Sequence, residues 1–427
     1  MDITTRLGQD RHGWMEDDNL RTEPAVVLVD VTAPEAPASE RLNATHLVVV
    51  LDRSASMSGE RLDHAKMALQ EVVTGMRPDD SFGLVLFDDQ VDVAVPAGPV
   101  GDRATALAAI DAVQPGGSTD LAAGLSAGLR QAARLDRREG VRVLLVSDGH
   151  ANRGVVDHAV LARHAARFLR EDGVSTSTLG MGLGYDEELL GAVSQAGGGA
   201  EYFANEADTA ASRIRQECGD LVAERHLRCR LVVETGTTMR HVEVVNHVTL
   251  HEAAHGVEIE LGGLRPDDVR SLVMRFEPTL ATRPGRRKVA RIHLTWVSAD
   301  DLETYSVSTS VWAHVSRPGE SPAVVDREVM AELLFQRVQR RKRRVAAKLA
   351  KGDVLGAARS LRRLVRLIKR ELPSVPLQRR PEMEGELADA LRQLEVTELG
   401  SMEDRAFASK AMFAATAVGS RRRDRRI

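Results

Sequence analysis

Between residues 44 and 222, short apolar runs alternate with segments of helical period, and few folds accommodate that order. The runs are HLVVVLD, FGLVLFD, VRVLLVSDG, VSTSTLGMG and AEYFAN. Between them, GERLDHAKMALQEVVTGM, STDLAAGLSAGLRQAARL, VDHAVLARHAARFLRED and DEELLGAVSQAG repeat apolar residues at i, i+3, i+4 and i+7. This pattern predicts an α/β unit over 44–222, a doubly wound and mostly parallel sheet with helices on both faces. Ligands of such sheets bind beyond the C-terminal ends of the strands.

After Arg225 the period changes to two. HLRCRLVVETG, HVEVVNHVTL, GVEIELGGL, DVRSLVMRFEP, KVARIHLTWVS and YSVSTSVWAHV are separated by turn residues, which predicts a β-sandwich over 223–318. Within the N-terminal segment 1–43, AVVLVDVTAP at 25–34 is a candidate strand of that sandwich, which would make the α/β unit an insertion. The region 319–427 reads as helical, with a hairpin turning near Gly352 and Asp353 and a third helix near 382–396. The basic end, GSRRRDRRI, is expected to be disordered.

A net charge of −4 over 427 residues favours neither nucleic acid nor a membrane surface as main partner. Cys218 and Cys229 are too few for a disulfide framework or a cysteine zinc cage and fit a reducing compartment. The first residues carry no apolar h-region, and nowhere do ~18 apolar residues run together. The expected location is cytoplasmic.

Oxygen-bearing side chains cluster where strands should end. HLVVVLDRSASMSGERL puts Asp52, Ser54 and Ser56 at alternate positions, GGSTD carries Ser118, Thr119 and Asp120, and VSDGH carries Asp148. A set of hydroxyls and carboxylates is hard, and suits Mg²⁺ or Mn²⁺ rather than zinc. Such an ion, held largely through water, keeps a coordination place open for an external carboxylate. Each stretch also has a plainer reading: Asp-x-Ser-x-Ser as a cap for a helix at 59–76, GGSTD as an N-cap, and SDG as a turn.

The stretch 45–222 resembles a von Willebrand factor A domain. The metal-ion-dependent adhesion site of that family uses D-x-S-x-S, a Thr before a helix and an Asp in a strand-end turn, matched here by Asp52, Ser54, Ser56, Thr119 and Asp148. The resemblance implies an adaptor that binds Mg²⁺ (or Mn²⁺) and an acidic residue of a partner protein, without catalysis. Asp52, Ser54, Ser56 and Thr119 would ligate the ion, and Asp148 would hold its waters. Family members inside cells tend to work in assemblies, some with AAA+ ATPases. The remainder is similar to bacterial cytosolic proteins that follow this domain with a β-sandwich and C-terminal helices, on the segment GVEIELGGLRPDDVRSLVMRFE.

Other signals compete. HEAAH at 251–255 matches a zinc-peptidase motif, with His251 and His255 as ligands and Glu252 as base, but it requires a helix and sits between strand-like runs before Gly256. Glu277 would be a third ligand on another strand. A hydrolase using Ser54 or Ser56 with His150 and Asp148 would need a glycine-flanked nucleophile elbow, which is absent. LGMGLG lacks the Walker lysine and the G-x-G-x-x-G spacing. QRVQRRKRR and SLRRLVRLIKR place basic residues mostly opposite Val345, Leu349, Leu361 and Leu364, as a solvated helix face does, and the 3% aromatic content offers single-stranded nucleic acid few stacking platforms. A scaffold with an idle metal site is the remaining alternative.

Overall fold

The computed structural model describes residues 1–9, 11–13, 24–35, 44, 46–135, 140–148, 153–182, 185–204, 212, 224–279, 285–316 and 324–421. The chain opens with β1 (Asp2–Leu7), β2 (Arg11–Gly13) and β3 (Ala25–Thr32). The α/β unit follows as β4 (His46–Asp52), α1 (Glu60–Gly75), β5 (Ser81–Phe87), β6 (Val91–Pro99), α2 (Ala104–Asp111), α3 (Leu121–Ala132), β7 (Val141–Ser147), α4 (His158–Asp172), β8 (Val174–Met181), α5 (Glu187–Ala196) and β9 (Gly198–Ala204). Next come β10 (His226–Thr235), β11 (Met239–Val244), β12 (Thr249–Ala253), β13 (Gly256–Leu264), β14 (Val269–Pro278), β15 (Gly285–Ser298) and β16 (Thr304–Ser316). The helices α6 (Arg327–Ala350), α7 (Val354–Glu371), α8 (Arg380–Leu399) and α9 (Met402–Arg421) complete the described chain.

The α/β sheet runs in the order β6-β5-β4-β7-β8-β9, parallel except for β6 at its edge. Every residue of β4 is buried. Because successive strand residues face opposite ways, Leu47, Val49 and Leu51 enter one core with Leu62, Leu69 and Val73 of α1. Val48 and Val50 enter the other core with Leu121, Leu125 and Leu129 of α3. Helix α3 packs tightly: a Cβ on Gly128 would lie 2.1 Å from Val50 Cγ2. The connections leave β4 toward β5 on one side and reach β7 on the other, so a crevice opens beyond its C-terminal end.

Sheets β1-β3-β14-β11 and β12-β13-β10-β15-β16-β2 face each other around Val27, Val29, Leu231, Phe276, Ile292 and Leu294. Strand β3 pairs with β14 along eight residues, so the chain leaves this sandwich after β3 and re-enters it at β10. The run HVEVVNHVTL, expected as one strand, is two strands on different sheets. Asn246 explains the break: its side chain donates to Ser271 O at 2.8 Å and accepts from Val273 N at 2.7 Å, ending the pairing of β11 with β14. HEAAH lies on the β12–β13 hairpin, where His251 and Glu252 are adjacent strand residues and His255 is in the turn. The single helical face that a zinc peptidase needs is therefore absent. Glu277 on β14 is bonded to Arg240.

Helices α6 and α7 form a hairpin with Val345, Leu349, Leu361 and Leu364 buried between them, and α8 spans the expected third helix. Gly419, Ser420 and Arg421, expected in a disordered tail, belong to α9. No helix of the described residues is long and apolar enough to cross a membrane. Between α6 and α8, Arg379 Nη2 bonds Glu332 at 2.8 Å and Glu382 at 2.9 Å. Burial pushes the Glu382 carboxyl up to about 7; Arg379 opposes this, and the negative charge of Glu332 adds to it. A carboxyl raised above its unfolded value stabilises the fold when protonated, and that contribution is lost as pH rises through about 7. Between pH 5 and 8 the thermal midpoint is therefore expected to fall with pH, and Glu382→Gln to flatten the slope. Melts of both proteins across this range, showing equal slopes, would place the titration elsewhere.

Candidate metal centre

Asp52 is the last residue of β4, fully buried at the crevice. Its Oδ1 accepts from Ser54 N at 2.8 Å, and its Oδ2 accepts from Ser147 Oγ at 2.6 Å. Ser54 Oγ and Ser56 Oγ are 3.1 Å apart; Ser54 is buried and Ser56 exposed, so this run of hydroxyls leads from the interior to the surface. The cap reading fails here, because α1 is preceded by Gly59 with no side-chain cap. Gly59 is required at that point by its φ of +80°.

Asp148 follows β7 directly and is fully buried. Burial pushes the Asp52 carboxyl up, bonds from Ser147 and Ser54 oppose it, and the negative charge of Asp148 raises it further. Two buried carboxylates that repel each other, among hydroxyls, fit a hard divalent cation, which would relieve both the burial cost and the repulsion. Among the described residues no group of three His, Cys, Asp or Glu could hold a metal. The donors here are two acids and three hydroxyls, a different chemistry.

Thr119, also buried, arrives on the loop before α3. That loop is fastened to the first one by Ala55 N to Gly117 O at 2.9 Å and Gly116 N to Arg53 O at 2.6 Å. Asp120 caps α3 by accepting from Ala123 N, so the cap reading of GGSTD holds for Asp120 while Thr119 faces inward. His150, Cys218 and the turn after Asp148 lie outside the described residues.

Two residues escaped the sequence pattern. Asp88, just past β5, braces both loops: its Oδ2 pairs with Arg53 Nε at 3.1 Å and its carbonyl accepts from Asp120 N at 2.7 Å. The FDD at the end of β5 was the available signal. Arg61 in the first turn of α1 donates to Ser56 O at 3.0 Å and stands 3.6 Å from Asp148 Oδ2. It thus places a cation of the chain itself beside the cluster, and no spacing rule announces it.

A doubly wound sheet with this oxygen cluster at its switch point defines a class of domain, and comparison with known proteins identifies it. Residues 47–150 match the von Willebrand factor type A domain, so the α/β unit is a domain of this type. YfbK of Escherichia coli (strain K12) is 33% identical over 174 residues, covering 40% of this chain and 30% of that protein. Two solved structures share the architecture beyond this domain. A von Willebrand factor type A protein from Catenulispora acidiphila has a TM-score of 0.70 at 16% identity, with 92% of this chain and 89% of that one covered. The ArnB paralog VWA2 from Sulfolobus acidocaldarius has a TM-score of 0.65 at 14% identity, with 98% and 99% covered.

Close packing of the two loops leaves no room at Gly116, where a Cβ would lie 1.8 Å from Asp88 Oδ2. Gly116→Ala is expected to cost about 1–3 kcal/mol, as overpacking does. Gly98→Ala, where a Cβ meets nothing within 4 Å, serves as control and is expected to stay within about 0.5 kcal/mol in the same denaturant melt.

Proposed function

We propose that the chain is a divalent-metal-dependent protein-binding adaptor. Asp52, Ser54, Ser56 and Thr119 would hold Mg²⁺ or Mn²⁺, with Asp148 holding its waters, and the ion would supply an electrophilic point for a carboxylate of a partner protein. The observation that carries this reading is the pair of fully buried acids, Asp52 and Asp148, beside hydroxyls that lead outward to exposed Ser56. A component of an AAA+ ATPase-linked assembly is one source of such a carboxylate.

Binding rather than catalysis is favoured by the local hydrogen bonds. Ser54 and Ser56 bond each other, Ser147 donates to Asp52, and among the described residues no histidine bonds Ser54 or Ser56. A serine nucleophile without an adjacent base stays inactive near neutral pH.

Isothermal titration of the purified chain with MnCl₂ is expected to show one site per chain, lost in Asp52→Ala while the far-UV spectrum is retained. Capture of partners from lysate should fall with that substitution and with EDTA; capture unaffected by either would end this reading. Arg61→Ala removes a competing positive charge and is expected to tighten Mn²⁺ binding about two- to fivefold, the scale of a partly exposed pair. Weaker binding in that variant would instead make Arg61 a support of the site.

A further inference from the structure

The basic stretch of α6 and α7 is not a uniformly solvated face. Three cations on α6 have acidic partners: Arg340 with Glu243, Lys342 with Glu386 and Asp389, and Arg343 with Glu201. Of the others, Arg327, Arg337 and Arg341 stand together. They form no ion pair with any described residue, and all three line one cleft of about 420 Å³ between α6, α7 and the segment that follows α7.

The floor of this cleft is apolar, made chiefly by Leu334 of α6 and Leu367 of α7. Positions 330, 334, 337 and 341 follow i, i+4, i+7 and i+11, so one face of α6 presents apolar residues at one end and guanidinium groups at the other. Partial burial and the positive charges of Arg275 and Arg341 push Arg337 down from its ordinary value, opposed by the negative charges of Glu243 and Glu371. Glu371, the single acid on the rim, is taken by Arg370 at 2.7 Å. A cluster of guanidinium groups outnumbering the acids of the cleft, beside apolar side chains, is complementary to a ligand with both properties. The volume of the cleft, which Ser374 and Val375 also line, fits a small molecule.

We propose that this cleft binds an amphiphilic organic anion, an apolar body that ends in a carboxylate, sulfonate or phosphate. The guanidinium groups of Arg337 and Arg341 hold the anionic head, and the body lies on Leu334 and Leu367. This site is separate from the metal centre, and neither depends on the other.

The test uses the full chain in 150 mM NaCl with 8-anilinonaphthalene-1-sulfonate as probe. Fluorescence is expected to saturate at one probe per chain, and Arg337→Gln/Arg341→Gln to weaken binding about tenfold or more, the scale of charge-assisted bonds. Asp52→Ala is expected to leave it unchanged. Laurate should displace the probe and hexaglutamate should not. Enhancement that does not saturate, equal affinity in the double variant, or displacement by hexaglutamate alone would overturn the proposal. Melting curves establish that the double variant is folded. If it is not, the single variant Arg341→Gln at the exposed rim carries the same comparison, with a loss of about threefold.

Discussion

The hydrogen bond from Ser147 to Asp52 is the interaction on which this molecule turns. A carboxylate at the end of a fully buried strand is costly unless its oxygens are occupied, and here one is met by a side chain of the neighbouring strand and the other by Ser54 N. That arrangement requires β4 and β7 to be adjacent and in register, which in turn requires both faces of β4 to be covered. The apolar run of β4 and the acid that ends it are thus one design: the helices supply the burial that the carboxylate must withstand.

Much of this was legible in the amino-acid pattern because it is local. The residues of β4 are apolar without alternation, as a strand covered on both faces demands, and α3 and α4 carry strong helical stripes. Asp52, Ser54 and Ser56 stand out by their spacing alone. Illegible elements are those whose burial comes from afar. Strand β6 is a partly exposed antiparallel edge containing Pro96 and Pro99, so it shows neither an apolar run nor clean alternation. Helix α9 has no apolar stripe of its own; Ala408, Met412 and Phe413 become core only by packing against other parts of the chain. Arg61 and Asp88 act across loops, and sequence distance hides both.

The sandwich determines how the von Willebrand factor type A domain is presented. Because the chain departs from β3 and returns at β10, the domain is attached at both ends, and Arg142 bonds Glu224 at 2.9 Å where it returns. A domain held by one linker samples many orientations; two attachment points and a buried ion pair at the junction remove most of them. Gln195 adds a bond to Val248 O at 3.3 Å, so α5 rests directly on the sandwich. The crevice therefore faces outward at an angle that the sandwich and helices jointly set.

Helix α9 gives this arrangement a last consequence. Lys410 is buried against Glu187 at 2.7 Å, donates to Tyr185 O and lies 4.1 Å from the Tyr185 ring centroid, while Ser409 bonds the other oxygen of Glu187. Glu187 at the start of α5 thus has its counter-charge encoded more than two hundred positions later. Loss of α9 would leave buried Glu187 without its counter-charge, at a cost of about 3–5 kcal/mol. The von Willebrand factor type A fold of this chain is thus held electrostatically by a helix that lies beyond the sandwich.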